Sequence, residues 1–200
     1  AGAPIPGPLV EQAQAALGAQ IISAWGMSEN GAVTTTLPSD GAHRAIETDG
    51  LPLPGAEVKV VDADGQEQPR GAIGQLWVRA NSNFGGYLKR PQLNATTDDG
   101  WFDTGDQARI DAQGYIRITG RSKDVIIRGG ENIPVVEVES LLYKHPAVAQ
   151  AAVVAYPDER LGERACAVVV VKPGAAAPVL SDITDFLKSQ KVAPHYLPER

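Results

Sequence analysis

The stretch on which the fold turns is Gly120-Arg121-Ser122-Lys123-Asp124-Val125-Ile126-Ile127-Arg128-Gly129-Gly130-Glu131-Asn132. A glycine and three charges lead into a β-branched strand, and a double glycine then forces a turn. An ordinary hairpin is not written this way. Downstream, Val135, Val138, Leu141 and Leu142 are spaced for a helix that ends near His145-Pro146. Two strands follow, Val148–Tyr156 and Ala165–Val171, and then a helix carrying Ile183, Phe186 and Leu187. Strand, helix, two strands and helix in this order predict a small α+β domain. Upstream the grammar is different. Pro8–Leu17 reads as a short amphipathic helix stopped by Gly18, and Ile21–Trp25 as a buried strand. Ala56–Asp62 and Gln75–Arg79 flank a turn at Asp64-Gly65, and Gln107–Ile110 and Tyr115–Thr119 flank another at Asp111–Gly114. These are antiparallel hairpins, so the expected fold class is α+β, with a boundary at Gly120–Lys123 that separates residues 1–122 from 123–200.

The composition sets limits on function. Gly (21) and Pro (15) are abundant in the 200 residues, which favours turns and short strands over long helices. No apolar run approaches the roughly 18–20 residues that a membrane helix needs. Residues 1–120 hold 8 Lys/Arg against 14 Asp/Glu, whereas residues 121–200 hold 10 of each. An acidic front half repels phosphates, which argues against a nucleic-acid partner despite the Arg128-Gly129-Gly130 triplet. The lone Cys166 excludes an internal disulfide and fits a cytoplasmic protein. It lies in an apolar alternating run and is expected to be a core thiol. The three histidines are scattered without metal-ligand spacing, so no zinc site is expected. The opening at Ala1 shows no targeting leader.

Two further runs carry chemistry. In Trp25-Gly26-Met27-Ser28-Glu29 a ring can stack on a flat base, and the glycine lets a ligand approach the backbone. The serine can donate to a phosphate, and the glutamate can hold a hard cation. Taken alone, the run is better described as a strand end with a surface glutamate. In Gly100-Trp101-Phe102-Asp103-Thr104-Gly105-Asp106 two aromatics anchor a turn that presents carboxylates, and an ionised carboxylate suits a ribose diol. Its plain alternative is a turn in which Asp106 serves only the backbone.

In this order and spacing the runs resemble the adenylate-forming enzymes: acyl-CoA synthetases, luciferases and peptide-synthetase adenylation domains. Gly2-Ala3-Pro4 is similar to that family's adenine-loop run. Trp25–Glu29 resembles its aromatic–Gly–x–Thr/Ser–Glu motif, Phe84-Gly85-Gly86-Tyr87 and Phe102–Asp106 the next two, and Arg121–Glu139 the hinge motif. The resemblance implies the β-rich end of a large AMP-binding domain followed by a small mobile C-terminal domain. It implies an acid–thiol ligase that activates a small carboxylic acid with ATP and Mg²⁺ and passes the acyl group to coenzyme A, without a tightly bound cofactor. By the same resemblance, Gly2, Ala3, Pro4, Trp25, Gly26, Met27, Ser28, Asp106 and Arg121 serve the nucleotide: Trp25 stacks on adenine, Ser28 contacts phosphate, and Asp106 grips the ribose with support from Arg121. Glu29 ligates Mg²⁺, Lys123 is the hinge, and Gly129, Gly130 and Glu131 line the pantetheine tunnel.

The family's phosphate loop is expected upstream of Ala1 and its adenylation lysine beyond Arg200, so no catalytic residue is assigned and these 200 residues alone are expected to be inactive. Asp158–Ala167 and Arg128–Asn132 look most like short- and medium-chain or cyclohexanecarboxylate–CoA ligases, with aryl-acid adenylating enzymes nearly as similar. Asn30, Gly31 and Ala32 either reach the acyl group or only shape the loop. A carrier-protein-dependent adenylation domain and a non-catalytic interaction domain are the alternatives.

Overall fold

The apolar alternation of Val58-Lys59-Val60 and Leu76-Trp77-Val78 becomes the centre of an antiparallel meander, with Val58 opposite Val78 and Val60 opposite Leu76. The computed structural model describes residues 5–200, which divide into two compact units: Val10–Ser122, and Lys123–Arg200 with Ile5–Leu9.

Through the first unit run α1 (Gly7–Leu17, which begins in the Ile5–Leu9 segment), β1 (Ala24–Met27), β2 (Gly31–Thr35), α2 (Ala42–Glu47), β3 (Leu51–Pro52), β4 (Ala56–Val61), β5 (Ile73–Ala80), β6 (Phe102–Ile110) and β7 (Ile116–Arg121). Strands β1-β2-β3 form one antiparallel sheet and β4-β5-β6-β7 another. Val33, Val60, Leu76, Val78, Ala108, Ile110, Ile116 and Ile118 form the core. The hairpin turns are made by aspartates that accept nearby backbone N–H groups. Asp62 Oδ1 takes those of Asp64 and Gln66, and Asp111 Oδ1 those of Gln113 and Tyr115, each at 2.9 Å.

The second unit contains β8 (Ile126–Arg128), β9 (Glu131–Ile133), α3 (Val135–Leu142), β10 (Val148–Asp158), β11 (Gly162–Val171) and α4 (Leu180–Ser189). Its antiparallel sheet has the order β10-β11-β8-β9. The apolar stripes of α3 (Val138, Leu142) and α4 (Ile183, Leu187) pack with Ile126, Ile133, Val148, Val153 and Ala165. The fold class is therefore α+β with antiparallel sheets, as the hairpin and helix signals implied.

Three expectations are corrected. Ile21–Trp25 is not a buried strand: β1 begins at Ala24, lies at the edge of its sheet and alternates between exposed and half-buried positions. Residues Gly100–Asp106 are not one turn. The turn closes at Gly100, whose N–H donates to the Thr97 carbonyl, and β6 starts at Phe102, so Asp106 lies mid-strand. Cys166 is half-buried and not a core thiol, because the alternation places Ala165 inward.

Candidate functional site

The glycine of the Trp25–Glu29 run is dictated by contact. A β-carbon at Gly26 would lie 1.9 Å from the Gly31 carbonyl oxygen across the β1–β2 pair, where the register slips between Trp25 and Gly26. Only glycine allows the approach, and it leaves Trp25 half-buried against the sheet core.

From there the indole Nε1–H donates to Asp106 Oδ2 at 3.0 Å. Arg121, opposite Asp106 in the β6–β7 register, donates from Nε to Oδ1 at 3.3 Å. Trp25, Asp106 and Arg121 are thus brought together from three strands. The Asp106 side chain is only 10% exposed and that of Arg121 is 60% exposed, so the carboxylate sits at the base of the group with the guanidinium above it in water. Burial pushes the Asp106 carboxyl above the ordinary aspartate value, and the donors Trp25 and Arg121 oppose that shift. Thr104 Oγ1 receives the Asp106 N–H at 3.1 Å and donates to the Leu76 carbonyl at 2.7 Å, which fixes the backbone beneath the carboxylate.

Met27 closes β1, and Ser28 and Glu29 lie in the turn after it, Ser28 exposed and Glu29 half-buried. The Tyr87 hydroxyl donates to Glu29 Oε1 at 2.6 Å, and the Phe84 N–H donates to the Glu29 carbonyl at 2.7 Å. The bond to Glu29 pushes the Tyr87 phenol up, so it stays a donor. Edge-on contacts of Phe84 with Tyr87 and Phe102, at 4.8 and 5.6 Å, hold the segment. In the sequence Tyr87 stands out only as part of the Phe84-Gly85-Gly86-Tyr87 run, and the structure adds its bond to Glu29. Asn30 is fully buried. Its Oδ1 accepts the Met27 N–H at 3.0 Å and its carbonyl accepts the Ser82 hydroxyl at 2.6 Å, so it shapes the loop.

Among the described residues no group of three His, Cys, Asp or Glu side chains could hold a metal, and no helix is long and apolar enough to cross a membrane. Gly2, Ala3 and Pro4 lie outside the described residues. Lys123 is exposed in the turn after β7. Gly129 and Gly130, with φ of +60° and +89°, make the β8–β9 tip, a left-handed conformation that glycine adopts without strain. Glu131 opens β9 and lies 3.2 Å from His195 Nε2.

A family model described as AMP-binding enzyme matches residues 1–88, and one described as AMP-binding enzyme C-terminal domain matches residues 137–200. The chain belongs to the AMP-binding enzymes. Among curated relatives, Enterobactin synthase component E of Escherichia coli (strain K12) is 42% identical over all of this chain and 37% of its own length. The Medium-chain fatty-acid–CoA ligase of the same organism is 41% identical over 91% of this chain and 32% of its own. The chain thus spans about a third of the length of these relatives. Among solved structures, amide bond synthetase McbA from Marinactinospora thermotolerans has a TM-score of 0.91 at 34% identity, over 100% of this chain and 41% of McbA. ATP-bound MatB from Rhodopseudomonas palustris has 0.90 at 35%, over 99% and 39%.

Proposed function

We propose that this chain is the nucleotide-holding edge and thiol-step domain of an AMP-forming acid–CoA ligase. The observation that carries the reading is the Asp106 carboxylate, buried between the Trp25 indole and the Arg121 guanidinium. A carboxylate accepts up to about four hydrogen bonds, so two donors leave lone pairs for the two hydroxyls of a ribose. The Trp25 ring offers an adenine-stacking face beside it, and the exposed Ser28 hydroxyl offers a donor for phosphate.

In the adenylation step a carboxylate oxygen bonds to the α-phosphorus of ATP and the bond to pyrophosphate breaks. In the second step the thiol sulfur bonds to the acyl carbon, the bond to AMP breaks, and the thiol proton leaves to solvent. This chemistry calls chiefly for positioning and charge neutralisation. The single carboxylate of Glu29, held at one oxygen by Tyr87 with the other oxygen left to bind, fits Mg²⁺, which takes one or two carboxylates and completes its shell with phosphates and water. When bound, the ion neutralises phosphate charge. The Gly129–Glu131 tip lines the path of the thiol, Lys123 is the hinge between residues 1–122 and a mobile 123–200 domain, and the protein works in the cytoplasm.

Two relatives, each 38% identical, favour a second reading, in which the acid is aromatic and the thiol belongs to a carrier protein: one is named a vibriobactin-specific 2,3-dihydroxybenzoate-AMP ligase and the other a fatty acid–[acyl-carrier-protein] ligase. Incubating the full-length protein with ATP, Mg²⁺ and a panel of octanoate, decanoate, benzoate and salicylate tests both. Acyl-CoA formed with coenzyme A as the sole thiol supports the ligase. Acyl-adenylate that waits for a phosphopantetheinylated carrier supports the second reading. No pyrophosphate release with any of these acids counts against both.

A further inference from the structure

The run Asp158-Glu159-Arg160-Leu161-Gly162-Glu163-Arg164 marks the chain's likeness to acid–CoA ligases, yet none of the roles above uses it. It forms the turn between β10 and β11. Asp158 Oδ1 accepts the N–H groups of Arg160 and Leu161 at 3.1 and 2.8 Å, and its Oδ2 pairs with Arg164 Nε, so one side chain closes the turn and ties it to β11.

The closed turn grips β8 on the edge turned away from β9, since the sheet order places β8 between β11 and β9. The Leu161 carbonyl accepts the Gly129 N–H at 2.9 Å, and Glu163 Oε2 accepts the Ile127 N–H at 2.8 Å. Gly162 stands opposite Arg128 in register. A third tie runs through Glu199, which pairs with Arg128 at 3.0 and 3.2 Å and with Arg164 at 3.0 Å. A β-carbon at Gly129 would meet the Leu161 side chain at 3.4 Å, so turn and tip approach to contact distance.

We propose that the Asp158–Arg164 turn is the positioning element of the Gly129–Glu131 tip, with the Leu161 carbonyl holding Gly129 directly and Glu163 holding Ile127 in the strand that leads into it, and that it governs thioester formation and not adenylation. The inference rests on the reading that this tip lines the path of the thiol. Isolated backbone N–H groups leave a two-glycine tip free to adopt many shapes, and a hydrogen bond to each on alternate residues selects one. Glu163 acts as an oxygen acceptor for a neutral N–H, so its shape matters more than its charge.

The test uses the full-length protein with Glu163→Ala, Glu163→Gln and Gly130→Val. Two half-reactions are measured with whichever of octanoate, benzoate or salicylate the unaltered protein activates fastest. They are acid-dependent ATP–pyrophosphate exchange, and acyl-adenylate consumption by coenzyme A. Amide hydrogen exchange at Ile127 is read on the same proteins without substrate. Glu163→Ala is expected to raise the KM for coenzyme A about fivefold to tenfold, the scale of one ordinary hydrogen bond, with exchange kinetics within twofold. The Ile127 amide should exchange faster, and Glu163→Gln, which keeps the oxygen, should restore both readouts. Equal losses in the two half-reactions, or no loss in Glu163→Ala while Gly130→Val impairs the thiol step, would overturn the inference alone. An unimpaired thiol step in Gly130→Val would overturn the reading of the tip, and the inference with it.

Discussion

In the proposed ribose-binding role Asp106 has to be buried enough to exclude water and ionised enough to accept hydrogen bonds, and its neighbours reconcile the two. Desolvation raises its pKa, and the Trp25 and Arg121 donors restrain the rise. In the full-length protein Asp106→Ala is expected to lower ATP-dependent activity by about 10²-fold or more, since each hydrogen bond to a charged acceptor contributes roughly 1.5–3 kcal/mol. Both half-reactions hold the same ribose and should fall together; an unchanged rate in either would remove Asp106 from the ribose. The raised pKa also sets a pH dependence. Affinity for AMP should begin to fall on acidification while an ordinary exposed aspartate is still ionised, and Asp106→Asn should flatten that profile. Protonation of Asp106 does not itself destabilise the fold. A carboxyl with a raised folded pKa binds its proton more tightly when folded, so its contribution to stability increases as pH falls through that value.

Charged pairs bind elements together in the second unit. Arg128 first, and then Arg164, hold Glu199 below its ordinary value, and Asp158 is lowered chiefly by the Leu161 and Arg160 N–H groups. Groups of this kind stabilise the fold above their unfolded pKa, and that contribution is lost as pH falls through the folded one. The melting temperature of this unit should therefore drop through and below the usual carboxylate range. Glu199→Gln should melt lower at neutral pH and lose part of that acid-side slope; a parallel pH profile in the variant would count against the network. The elements themselves were largely readable. Alternation gave β4, β5, β10 and β11, and helical spacing gave α3 and α4, because one face of each meets a core. Two errors came from what alternation lacks. It does not say which strand is an edge, so Ile21–Trp25 reads as buried, and it does not fix phase in a run of small residues, so Cys166 reads as inward in place of Ala165. The site was readable as motifs but not as contacts. Trp25 and Asp106 are 81 residues apart and Arg128 and Glu199 are 71 apart, and nothing local in a single sequence links such pairs.

At the scale of the whole molecule, the division between Ser122 and Lys123 puts the proposed hinge at the start of the Lys123–Arg200 segment of the second unit. A proline there fixes φ near −65° and removes the N–H, which restricts rotation between the units. Lys123→Pro is expected to leave adenylation nearly intact and to lower thioester formation sharply, and parallel losses in the two half-reactions would defeat the hinge. The same division has an optical consequence. The three tryptophans, at 25, 77 and 101, all precede Ser122, so the second unit carries none. Indole emission therefore follows the first unit alone, while far-ultraviolet circular dichroism follows the strands and helices of both. If the units melt separately, the two signals will give different midpoints, and the difference assigns each transition without a label.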